Sequence, residues 1–82
     1  MEAKKDKKEI AIFLNEDEAL VLLEWLTKFN EKDDPSLFED KEAEERILFD
    51  LEASLEKIIL ETFKGNYLEI LSKARQNIKQ IE

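Results

Sequence analysis

Between Glu16 and Phe29 this chain is apolar around more of a helix's circumference than a small molecule can easily shield. Asn15-Glu16-Asp17-Glu18 opens the stretch as a helix start. Asn15 can cap, Glu18 stands three residues on as in a capping box, and three acids sit at the positive end of the helix dipole. Ala19, Leu20, Val21, Leu22, Leu23, Trp25, Leu26 and Phe29 follow, and at 100° per residue they cover roughly 260° of the helix. Only Glu24 and Lys28 mark a firmly polar side. A helix of this kind has to be surrounded. Val21, Trp25 and Phe29 form one line at i, i+4 and i+8, and Trp and Phe are favoured at interface centres. Two arrangements would cover the line. A second chain packs on it, most economically as a two-fold dimer, or a Phe13 arm and a Leu37-Phe38 loop close over Trp25 within one chain.

The chain has 82 residues, enough for one domain. Residues 1–9 are rich in Lys and Glu and are expected to be mobile, leaving a single helical domain over 10–82. Ile10 to Leu14 reads as an extended apolar arm. With no other strand-like segment in the chain, the arm must pack by its side chains or pair with a second copy of itself. Asn30 and the polar run before Pro35 end helix 1 near Phe29. Ser36 to Glu39 suits a single capped turn, and Leu37 and Phe38 should pin the loop to the core. Asp40 caps helix 2, expected from about Lys41 to Phe63 with Gly65 ending it. Asn66 and Glu69 repeat the cap pattern and open helix 3, about Tyr67 to Gln80. So short a link favours an antiparallel hairpin of helices 2 and 3, although a bent corner is open to it. The expected fold is all-α, with three helices, a long central helix 2 and an extended N-terminal arm.

Helix 3 has a clean core stripe of Tyr67, Ile70, Leu71, Ala74, Ile78 and Ile81. Helix 2 has its main stripe at Ala43, Ile47, Leu48, Leu51, Leu55, Ile58 and Ile59. Phe49, Ala53 and Leu60 make a thinner second line. Either the arm or loop covers it, or it joins Val21, Trp25 and Phe29 as a contact for a partner.

Charge and missing residue types remove most chemistry. There is no Cys and no His, hence no disulfide, thiolate nucleophile, imidazole base or Cys/His metal site. A single Gly leaves no phosphate-cradling loop. The acidic loop from Asn30 to Asp40 lacks the Gly of a calcium-binding EF-hand loop and is broken by Pro35. No enzyme, cofactor or metal is expected. The net charge is −8, and residues 15–56 hold 15 acids against 4 bases. Asp33, Asp34, Glu39, Asp40, Glu42 and Glu45 crowd the loop and the start of helix 2. They read either as a solvated surface with acids suited to the helix dipole, or as a docking patch for a basic partner. Helices 2 and 3 around Gly65 look superficially like a helix-turn-helix, and Lys73, Arg75 and Lys79 lie off the core stripe of helix 3. The overall charge opposes phosphate binding. No apolar run is long enough to span a membrane, and the short Ile10–Leu14 run makes no secretory signal, so the cytoplasm is the expected compartment.

The apolar arm, Asn15 to Leu26, Ala43-Glu44-Glu45-Arg46-Ile47-Leu48-Phe49-Asp50-Leu51-Glu52, Leu55-Glu56-Lys57 and a Tyr67-led last helix together resemble a group of short, acidic, uncharacterised bacterial proteins. The resemblance covers residues 10–80 and rests mostly on helix-packing positions. It implies a bacterial origin and no established activity. The expected function is a small non-catalytic protein-interaction module that self-associates, most simply as a homodimer, and acts by occupying a partner surface. An acidic inhibitor of a basic toxin or nuclease, of the antitoxin or immunity type, is the alternative. Nucleic-acid binding through helix 3 is a minor third.

Overall fold

A computed structural model describes residues 1–80 of the chain. The elements in order are β1 (Glu2–Asp6), β2 (Glu9–Phe13), α1 (Glu16–Asn30), a 3-10 turn (Pro35–Leu37), α2 (Lys41–Thr62) and α3 (Tyr67–Lys79).

The helix starts follow from local chemistry. At α1 the capping box is complete. Asn15 Oδ1 accepts from the Glu18 amide at 2.8 Å, and Glu18 Oε1 accepts from the Asn15 amide at 2.9 Å. Asp40 accepts from the Ala43 amide at the start of α2, and Asn66 accepts from that of Glu69 at the start of α3. The loop turn begins one residue earlier than Ser36, because Asp34 takes both the amide and the hydroxyl of Ser36. Helix α1 runs one residue past Phe29, because Asn30 is anchored. Its side-chain amide donates to Glu52 Oε1 at 2.7 Å and to the Leu48 carbonyl at 3.4 Å.

The N-terminal segment is a two-stranded antiparallel hairpin, which corrects both the all-α class and the extended arm. Residues 1–9, set apart above as a charged N-terminus, supply β1 and the turn. Glu2 pairs with Phe13, Lys4 with Ala11 and Asp6 with Glu9, leaving Lys7-Lys8 as a two-residue loop. Lys7 has φ of 57°, the left-handed conformation such loops require. Glu-Ala-Lys-Lys-Asp has little intrinsic strand preference, so β1 exists through pairing with β2.

The central helix is α1. Both α2 and α3 pack on it, and among the described residues their backbones approach α1 far more than they approach each other. Asn30 of α1 meets Leu48 and Glu52, whereas Ala19 lines a groove with Leu55 and Ile59. Glu24 meets Tyr67, whereas Asp17 meets Asn77. The contact order reverses along both neighbours, so α2 and α3 each run against α1. The expected antiparallel α2–α3 hairpin is therefore replaced by a bent link over residues 63–66. Gly65 serves this link rather than capping α2, whose cap is Phe63, and it takes a φ of 121° that suits glycine.

The core is thin. Leu20, Leu23, Ile59, Leu71 and Ala74 form the buried cluster, with Ala19, Val21, Leu55, Phe63 and Ile70 packed against it, and Leu26 is buried too. The helix 3 stripe is partly realised, since Leu71 and Ala74 are buried and Tyr67 stays exposed, and Ile81 lies outside the described residues.

Candidate interaction surface

On α2 the side facing α1 is Leu48, Glu52, Leu55 and Ile59, spaced i, i+4, i+7 and i+11. The expected main stripe is thus rotated. Ile47 and Ile58, placed above in the core, are 66% and 61% exposed, and Leu51 between them is exposed as well. The rotation has a polar cause. Thr27 and Asn30 of α1 both bond Glu52, at 3.2 and 2.7 Å, and that seam sets which side of α2 faces inward.

Ile47, Leu51 and Ile58 form an uncovered line with an apolar groove at each end. One groove, of about 280 Å³, lies between the end of β2 and α2 and is lined by Ile12, Phe13, Leu14, Ala19, Leu55 and Ile58 among others. The second, of about 320 Å³, is lined by Phe29, Leu37, Phe38, Ile47 and Leu48, with Glu44 at its edge. The hairpin extends this apolar region, since Ile10 and Ile12 are 71% and 62% exposed. Residues Ile10, Ile12, Ile47, Leu51 and Ile58 were therefore missed as surface. Two signals pointed to the three on α2: that helix has more apolar positions than one neighbour can cover, and Glu52 interrupts its stripe.

The five contact residues expected from the sequence do not form one surface. Val21 is half-buried against the core cluster. Trp25 is 54% exposed and stacks on Phe29, with ring centroids 4.9 Å apart and planes 19° apart. Phe38 meets Phe29 edge-on at 5.9 Å, so the loop closes over Phe29 and leaves Trp25 open, and Leu37 remains exposed. Phe13 stands beside α2 instead of over Trp25. Phe49 and Leu60 are exposed on the opposite flank of α2, where Glu42, Glu45, Arg46 and Asp50 surround Phe49.

Several of the six acids have local structural partners. Asp34 caps the 3-10 turn, and its carboxyl is held below the usual range by the Ser36 hydroxyl and amide. Asp40 caps α2. Lys41 bridges Asp33 and Glu45 at 3.3 and 3.7 Å, and its ammonium is shifted upward chiefly by the bond to Asp33. Glu39 and Glu42 are exposed beside them. The cluster is thus partly committed to helix and turn starts.

One further polar contact ties α3 to α1. The Tyr67 hydroxyl donates to Glu24 Oε2 at 2.7 Å across 43 residues. Desolvation, and then the Glu24 carboxylate, push the Tyr67 hydroxyl up to about 12, and the same bond lowers Glu24.

Among the described residues no His, Cys, Asp and Glu cluster is placed to hold a metal, and no helix is long and apolar enough to cross a membrane. Comparison with known protein families, with curated proteins and with solved structures finds no match for this chain.

Proposed function

We propose that this chain is a small protein-interaction module that acts without catalysis and associates with itself through its uncovered apolar surface. The observation that carries the reading is the Ile47–Leu51–Ile58 line, open to solvent and bounded by apolar grooves. Scale supports it. The chain exposes 6981 Å², whereas a folded monomer of 9.7 kDa exposes about 5,100 Å². The excess of roughly 1,900 Å² exceeds the roughly 800 Å² that each partner contributes to a standard interface. The radius of gyration, 14.4 Å, is likewise larger than the about 12 Å of a compact chain of this length.

Sedimentation or light scattering tests the reading. Twice the 9.7 kDa chain mass is expected, with Ile58→Glu returning the protein to one chain mass while its helical circular dichroism is retained. Trp25→Glu should have the smaller effect. Chain mass alone at high concentration would overturn self-association. Salt gives a second readout. Two copies of net charge −8 repel each other, so added salt should tighten the dimer. A basic partner held by Asp33, Asp34, Glu39, Asp40, Glu42 and Glu45 would instead be released by salt.

A further inference from the structure

We infer that β2 pairs through its free edge with β2 of a second copy, forming a four-stranded antiparallel sheet whose two-fold axis passes through Ala11. The inference rests on the self-association reading above and specifies its geometry.

The strand register decides which backbone groups are available. Asp6 and Glu9 close the two-residue loop, so this pair exchanges hydrogen bonds across the hairpin. Alternation then directs the amides and carbonyls of Glu9, Ala11 and Phe13 at β1. Those of Ile10 and Ile12 point away, along the free edge of β2. All five residues of β2 are exposed. The two edges of the hairpin differ in protection. Lys4 and Lys5 sit in β1, whereas Glu9-Ile10-Ala11-Ile12-Phe13 has no lysine and no proline to discourage pairing.

The side chains select the register. Ile10, Ile12, Ala3 and Lys5 share one face of the hairpin, with Lys5 opposite Ile10 on the outer strand β1. A two-fold axis at Ala11 pairs Ile10 of each copy with Ile12 of the other. Moving the axis to Ile10 sets Ile12 opposite Lys8, and moving it to Ile12 sets Ile10 opposite Leu14. With the axis at Ala11, four isoleucines meet on one face, and Glu9 lies opposite Phe13 rather than another acid. Ile12 and Ile58 line the same groove, so this face runs on to the uncovered flank of α2. A lone two-stranded hairpin is marginal in water, and four strands with an apolar face are far better supported. A second copy is the occupant because the excess exposed area is more than enough to supply one side of a dimer interface, and because a two-fold pairing satisfies the free β2 edge of both copies with one surface.

The chain has no cysteine, so a single Ala11→Cys substitution gives a unique probe in this 82-residue chain. At the axis the two Ala11 residues form a non-hydrogen-bonded pair, close enough for a disulfide. Mild oxidation should convert Ala11→Cys largely to a covalent dimer. Ile10→Pro removes one outward amide per copy, whereas Ile10→Ala keeps it. The proline variant should dissociate about tenfold or more readily than the alanine variant. A wild-type dimer that yields no Ala11→Cys cross-link, or that survives Ile10→Pro as well as Ile10→Ala, overturns strand pairing and leaves self-association standing. A wild-type monomer overturns both.

Discussion

Helices α1 and α2 are both rich in large apolar side chains, yet they use them in opposite ways. In α1, Leu20, Leu23 and Leu26 are buried, and Trp25 is the large apolar residue left open. In α2, Ile59 alone is buried, and Ile47, Phe49, Leu51, Ile58 and Leu60 are open. The difference lies in neighbours. α1 has α2 on one side and α3 on the other, whereas α2 has α1 along a single line. Apolar content states how much surface a helix needs covered, and the number of packing partners determines how much is covered.

The sharpest way to break this contrast is to truncate one residue from each side of it. Leu20→Ala should cost about 2–5 kcal/mol in denaturant unfolding, because Leu20 is fully enclosed at the meeting of the three helices. Next in size is the seam between the two helices. Glu52→Ala leaves Thr27 without its acceptor and Asn30 with only the longer bond to the Leu48 carbonyl, and should cost about 1–3 kcal/mol, with Glu52→Gln recovering part of it.

Tyr67→Phe tests the other flank of α1 and should cost about 1 kcal/mol near neutral pH, since its bond to Glu24 is partly solvated. The pH dependence has a definite sign. The raised Tyr67 contributes stability that is complete below its ordinary value near 10 and is lost as pH climbs through about 12. The lowered Glu24 contributes stability present above the usual carboxylate range and lost as pH falls through its depressed value. Unfolding curves of wild type and Tyr67→Phe should therefore converge at both extremes. Smallest is Ile47→Ala, measured at a dilution that keeps the chain monomeric, which should fall within about 0.5 kcal/mol of wild type. A loss there as large as for Leu20→Ala would erase the distinction between the two helices.

The legible parts of this fold are the local ones. Asn15, Asp40 and Asn66 mark all three helix starts because a cap is decided by a side chain and an amide a few residues away. The strand β1 was not legible, because nothing in Glu2–Asp6 favours an extended backbone before Glu9–Phe13 is beside it. The sense of α3 escaped for the same reason: Tyr67–Glu24 and Asn77–Asp17 join residues 43 and 60 positions apart. In the candidate surface, periodicity identified which α2 positions are apolar but not which of two adjacent apolar lines faces α1. Glu52 settles that choice through Thr27 and Asn30, two side chains on another helix. Trp25 is exposed, as a contact with a partner would require, whereas Ile47, Leu51 and Ile58 looked like core.

The arrangement of two helices docked separately on a third gives this chain a hub. Losing the hub removes the helix on which Ile59 of α2 and Leu71 and Ala74 of α3 are gathered, while detaching one spoke leaves the hydrogen bonds of the other to α1 in place. Native-state hydrogen exchange should accordingly show α2 and α3 opening as independent units, each able to loosen alone, with the slowest amides concentrated in α1.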